Sequence, residues 1–166
     1  VVAGENGEQD LQGRAMIVFA TPFLLFSGVA GYLSDLFSKR QVIVLSKVAE
    51  IVVMSLGLLA FLWYARFGLH GMFIVLFLMG AQSAFFGPSK YGILPETLRP
   101  VDLPHANGII LMTTFLAIIL GTAIAGVLKV AFSDADQLWM VSAICVLIAC
   151  LGTGTSLLIR KVPAAE

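Results

Sequence analysis

Ala81-Gln82-Ser83-Ala84-Phe85-Phe86-Gly87-Pro88-Ser89-Lys90-Tyr91-Gly92-Ile93-Leu94-Pro95-Glu96 is the stretch around which the chain is arranged. An apolar run, Gly71 to Gly80, enters it, and a polar loop leads out to a second apolar run near Ala106. Pro88 has no amide donor, and a residue before proline avoids the α region. Gly87-Pro88 therefore predicts the end of the incoming helix. Lys90 and Glu96 flank a small apolar knot, Tyr91 to Pro95. Two long apolar segments precede this part of the chain and two follow it.

Composition sets the class. The 166 residues are 59% hydrophobic and 12% charged, with a mean hydropathy of +0.98, whereas soluble domains carry about 25% charged residues. Abundant Phe, Met and Gly suit membrane helices. Net charge is zero and the basic residues are scattered, so a nucleic-acid partner is excluded. Cys145 and Cys150 lie in one apolar run at a spacing that turns them to different sides of a helix. Neither a disulfide nor a metal pair fits, and a buried packing role is expected for both.

Five spans are expected, about 15–34, 42–64, 71–87, 106–132 and 138–159. Each approaches the roughly 20 residues that cross a hydrocarbon core of about 30 Å at 1.5 Å per residue. Residues 1–14 read as a polar extracytoplasmic segment and 162–166 as a cytoplasmic tail. Trp63 and Tyr64 stand at an expected outer boundary, as aromatic belts do. Asp102 and Asn107 read as caps near the start of the fourth span. Gly121, Gly126, Gly152 and Gly154 read as close-packing positions.

Orientation follows from bases in alternate loops. One side holds Lys39, Arg40, Lys90, Arg99, Arg160 and Lys161; the other holds Arg14, Arg66 and Lys129, diluted by Asp10, Asp134 and Asp136. The first side is expected in the cytoplasm, with the amino end outside. An odd number of spans is then expected before Val1, which makes the chain read as part of a longer transporter.

The connection Gly31-Tyr32-Leu33-Ser34-Asp35-Leu36-Phe37-Ser38-Lys39-Arg40 carries the first motif. Gly31 can let a neighbouring helix approach closely. Asp35 can accept hydrogen bonds from an adjacent helix start, and Lys39 and Arg40 can hold the loop at an anionic leaflet. A basic loop that only sets topology is the plainer reading. The spacing resembles the signature between the second and third helices of the major facilitator superfamily, with Ser38 where that pattern often has Gly. The resemblance implies that the spans are helices two to six of a twelve-helix, all-α integral membrane fold. It also implies that Gly31, Asp35, Lys39 and Arg40 form a latch steadying the outward-open state, and that the loop after the third span is its inverted-repeat equivalent.

Gln82 to Glu96, followed by Ala106-Asn107-Gly108, resembles the lysophospholipid transporter family. It also resembles the transporter domain fused in some bacteria to 2-acylglycerophosphoethanolamine acyltransferase and acyl-ACP synthetase, a branch that Lys47-Val48-Ala49-Glu50-Ile51 fits well. The resemblance implies inward movement of lysophospholipids, chiefly lysophosphatidylethanolamine, across the bacterial inner membrane for re-acylation. The partners it implies are the lipid, the rest of the parent transporter and a fused or associated acyltransferase.

Ionisable groups inside spans cost about 2.5 to 3.5 kcal/mol each at a helix centre. Lys47 and Glu50 are the two here, at i, i+3 on one face. They read either as an ion pair fixing the helix against its neighbours or as charges that guide a zwitterionic head group. Gln82 and Ser83 can hydrogen-bond a glycerophosphate or glue helices together. Lys90, a cation beside Tyr91, reads equally as a phosphate ligand or a topology residue. His70 and His105 are lone loop histidines, so no metal site is expected, and no cofactor is implied.

Catalysis finds no support. The sequence has no His-x4-Asp acyltransferase box, no P-loop and no evident nucleophile–base pair. A lipid transporter is the leading reading. A membrane anchor for a fused acyltransferase and a generic drug or solute efflux protein are the alternatives.

Overall fold

The computed structural model describes residues 11–132 and 138–160. The expected extracytoplasmic and cytoplasmic tails lie almost entirely outside the described residues, as do Asp10, Asp134, Asp136 and Lys161 from the charge count. The described chain is helical throughout: α1 (Leu11–Leu36), α2 (Lys39–Leu62), α3 (Tyr64–Gly92), the short α4 (Leu94–Thr97), a 3-10 turn (Pro100–Asp102), α5 (Leu103–Ala131) and α6 (Leu138–Ser156). Five of these stretches are long and apolar enough to cross a membrane. Helices are the form expected of such sequences, because hydrocarbon offers no partner for an open N–H or C=O group.

α1 packs on α3, and α2 packs on both α3 and α6. Phe19 meets Gly80 and Ser34 meets Ser89, so α1 and α3 run parallel. Glu50 meets Gln82 and Gly57 meets Val75, which makes α2 antiparallel to α3. The buried apolar residues are mainly small or β-branched: Ala30, Ile43, Val53, Ala60, Ala84, Ile93 and Ala149. Small residues let membrane helices approach, and lipid-facing Leu, Ile and Phe need no protein partner. Between α1 and α3, Phe26 stacks on Phe85 at 5.8 Å between ring centroids and meets Phe77 edge-on at 6.4 Å.

Two helix ends differ from the sequence expectation. The helix that Gly87-Pro88 was expected to stop continues through Pro88 to Gly92. Membrane helices tolerate an interior proline where neighbours re-satisfy the freed backbone group, and α1 likewise runs through Thr21-Pro22; at Pro88 the preceding Gly87 also offers the ring no Cβ. The helix loses one backbone bond and keeps its course. At the other end, residues 65–70, which separate the expected second and third spans, are mostly helical. The helix is broken at Gly68, whose φ of 54° and ψ of −154° form a conformation natural to glycine.

Three packing expectations are also corrected. The space around Gly31 is open among the described residues, and so is that around Gly121, Gly126 and Gly154. The tightest helix contact falls at Gly80, where a Cβ would lie 2.3 Å from the Phe19 carbonyl oxygen. Cys145 and Cys150 are exposed rather than buried, because α6 turns Ala149 and Ser156 inward instead. Asp102 precedes α5 but makes no side-chain cap; its carboxylate accepts from Arg99 Nε at 3.0 Å. Asn107 lies inside α5.

Candidate functional site: a charged pocket between α2 and α3

Lys47 and Glu50 sit one turn apart on α2, and their facing partners are Gln82, Ser83 and Phe86 on α3. Lys47 Nζ donates to Glu50 Oε2 at 2.6 Å. Gln82 Nε2 donates to the same oxygen at 3.3 Å, and Ser83 Oγ donates to Gln82 Oε1 at 2.9 Å. Four polar side chains thus form one connected chain across the α2–α3 interface. The ammonium also lies 5.1 Å from the centre of the Phe86 ring, a cation–π distance.

These groups line an open-sided pocket of about 230 Å³ together with Phe19, Val53, Met54 and Met79. Both charges are about three-quarters buried, with side-chain exposures of 24% and 21%. Glu50 Oε1 accepts no hydrogen bond among the described residues, and two of the three Lys47 ammonium protons remain available. The pocket therefore offers one cationic and one anionic group, each with unused bonding capacity, inside an apolar helical layer.

Gly152 and Thr153 of α6 complete the surroundings of Lys47. Thr153 Oγ1 donates to the Lys47 backbone carbonyl at 3.0 Å. A Cβ at Gly152 would lie 3.6 Å from Lys47 Nζ. Gly152, a close-packing position by sequence, thus has Lys47 as its neighbour. Thr153 was missed, although a polar residue inside an apolar span is itself a signal of interhelical bonding.

Lys90 and Tyr91 fall outside this pocket. Lys90 lies one turn beyond Phe86 on α3, yet its ammonium donates to Thr114 Oγ1 of α5 at 2.7 Å. It also sits 5.6 Å from the Tyr91 ring centre. Tyr91 is exposed.

The Gly31–Arg40 motif residues separate in space. Asp35 is exposed at the end of α1 and accepts no hydrogen bond among the described residues. Lys39 is ion-paired with Glu96 of α4. Arg40 donates from Nε to the Ile159 carbonyl at 2.7 Å and from its guanidinium to Leu157 O at 3.1 Å. The two bases thus gather the α1–α2 turn, α4 and the end of α6 at one end of the bundle. Ser34, one residue before Asp35, is buried against Ser89 with Oγ atoms 3.0 Å apart.

The family model described as Major Facilitator Superfamily matches residues 3–166. The chain belongs to the major facilitator superfamily, and its five apolar helices make it a multi-pass membrane protein. More particularly, it is 29% identical over 154 residues to the lysophospholipid transporter LplT of Yersinia enterocolitica serotype O:8 / biotype 1B. The same identity holds for proteins of that name from Yersinia pestis (strain Pestoides F) and Yersinia pseudotuberculosis serotype O:3 (strain YPIII). Each alignment covers 90% of this chain and 34% of the relative, so the chain spans about a third of the length of these proteins. No solved structure matches.

Proposed function

We propose that this chain is part of a secondary transporter that moves lysophospholipids of the lysophosphatidylethanolamine class across the bacterial inner membrane for re-acylation. The observation that carries the reading is the Lys47–Glu50–Gln82–Ser83 chain in its pocket. Charges in a membrane layer are expensive and need a purpose. A zwitterionic head group matches them in kind: its phosphate would take free protons of Lys47, and its ammonium would take Glu50 Oε1. Gln82 and Ser83 add neutral hydrogen-bonding capacity beside the pair. The likeness to proteins named lysophospholipid transporters supports the choice of lipid over other zwitterions.

Lys90 serves this function at a distance, as the tie between α3 and α5. Asp35, with a free carboxylate at the end of α1, keeps its proposed role as a latch toward parts of the transporter beyond this chain. The side carrying Lys39, Arg40 and Arg160 is assigned to the cytoplasm by its positive charge, with the amino end outside. A fused or associated acyltransferase would then meet the lipid on the cytoplasmic side.

The test is uptake of labelled lysophosphatidylethanolamine into proteoliposomes by the full-length protein containing this chain. Lys47→Ala and Glu50→Ala should each reduce uptake about tenfold, the loss of one charge-assisted contact. Unchanged uptake in both would remove the pocket from the transport path. Absence of lipid uptake by the parent protein, with acylation intact in a fused enzyme, would favour the membrane-anchor reading instead.

A further inference from the structure

We infer that Gly152 and Thr153 of α6 are positioning residues for Lys47, so that a helix outside the pocket sets where the pocket's cation stands. The inference rests on the reading of Lys47 and Glu50 as a head-group site. Neither α6 residue lines the pocket. Their action runs through Lys47 alone.

The geometry supports this from two directions. α6 turns Ala149, Gly152, Thr153 and Ser156 toward α2, a face at i, i+3, i+4 and i+7. Ala149 and Ser156 are buried at its two ends, 2% and 6% exposed, so the middle of the face lands on the α2 turn that carries Lys47. There the single hydroxyl proton of Thr153 is shared between the Lys47 carbonyl across the interface, at 3.0 Å, and its own Ala149 carbonyl, at 2.9 Å. That bond fixes the height of the lysine backbone against α6.

Gly152 fixes the course of the side chain. An ideal Cβ there would sit 3.6 Å from Lys47 Nζ and 3.9 Å from its Cδ. The lysine stem therefore lies across the glycine, and its ammonium is bounded by Glu50, the Phe86 ring and the α6 surface. Alanine would fit at ordinary contact distance. Leucine would place further atoms where the stem now lies.

A lysine has several rotatable bonds and needs such boundaries to hold one position. Within a membrane layer the alternative is to snorkel toward the nearest interface. Gly152 leaves the inward path open, and Thr153 anchors its start.

Amine labelling of the full-length protein in proteoliposomes reads the position of Lys47 without assuming a substrate. A membrane-permeant acetylating reagent is used, and the modified lysines are counted by mass spectrometry. Thr153→Val, which keeps the shape and loses the hydroxyl, should raise the Lys47 labelling rate roughly threefold, in line with one modest hydrogen bond lost. Thr153→Ser and Gly152→Ala should match the parent, Gly152→Leu should exceed it, and labelling of Lys39, paired with Glu96 at the end of the bundle, should stay constant as the control for intact folding. Equal Lys47 labelling in the Val and Ser variants would overturn the inference.

Transport separates this from the function on which it rests. Thr153→Val should raise the KM for lysophosphatidylethanolamine about threefold with kcat within about twofold, and Ser should restore it. Raised labelling with unchanged KM would sustain the positioning role and overturn the head-group reading. Unchanged labelling with raised KM would do the reverse.

Discussion

Lys39, the first residue of α2, is ion-paired with Glu96 in α4, 57 positions further along the chain. The lysine stem passes over Gly92, where a Cβ would lie 2.9 Å from its Cε. The motif that resembles a latch thus engages its first base among the described helices, binding the α1–α2 turn to the connection that follows α3.

The pair is largely shielded, with side-chain exposures of 11% and 23%, so it should exceed the usual surface bridge. Glu96→Ala should destabilise the protein by about 1–3 kcal/mol, between exposed and buried pairs. Thermal unfolding in detergent measures it. The charge-swapped double variant Lys39→Glu/Glu96→Lys should recover much of the loss, and failure to recover any would show that the pair is incidental.

Ser34 and Ser89 offer a cleaner test of buried polarity. Their hydroxyls bond at 3.0 Å, with 2% and 0% exposure. Ser89→Ala should cost about 1–3 kcal/mol by stranding Ser34, whereas the double variant Ser34→Ala/Ser89→Ala should lie close to the parent. Additive losses in the double-mutant cycle would contradict this.

Gly80 tolerates no side chain. A Cβ would sit 2.3 Å from Phe19 O and 3.2 Å from Pro22 Cγ. Gly80→Ala should force α1 and α3 apart at a cost of about 1–3 kcal/mol or more, read as a lower unfolding temperature. Gly121→Ala, in open space within α5, serves as the matched control.

Gly68 tests conformation rather than space. No atom lies within 4 Å of its would-be Cβ, but its φ is +54°. Gly68→Ala should therefore cost about 1–3 kcal/mol through backbone strain alone. A neutral result would mean that the break relaxes in the membrane.

Sequence reasoning reached the class of fold because hydropathy along a span is a property of consecutive residues. It also found Lys47 with Glu50, since i, i+3 neighbours on a helix are set by local geometry, and it singled out Gln82 and Ser83 as polar exceptions in an apolar run. What it did not reach are pairings set by tertiary contact: Lys39 with Glu96, Ser34 with Ser89, and Lys90 with Thr114. The Pro88 expectation failed because membrane helices tolerate an interior proline, as α1 does at Thr21-Pro22. Gly80 was indistinguishable in sequence from Gly121; only the neighbouring backbone separates them.

The contact of Gly80 with Phe19 also has a mechanical meaning. With a carbonyl seated where a side chain would otherwise stand, sliding α1 by a turn along α3 would drive that oxygen against Phe77 or Ala84, which share the Gly80 face of the helix. The two parallel helices are keyed, and a packed interface of this kind shifts as a unit or not at all. Displacement applied at the Ser34–Ser89 end would travel along both as through a rigid bar. It would be taken up where the bar ends, at the glycine break of residue 68.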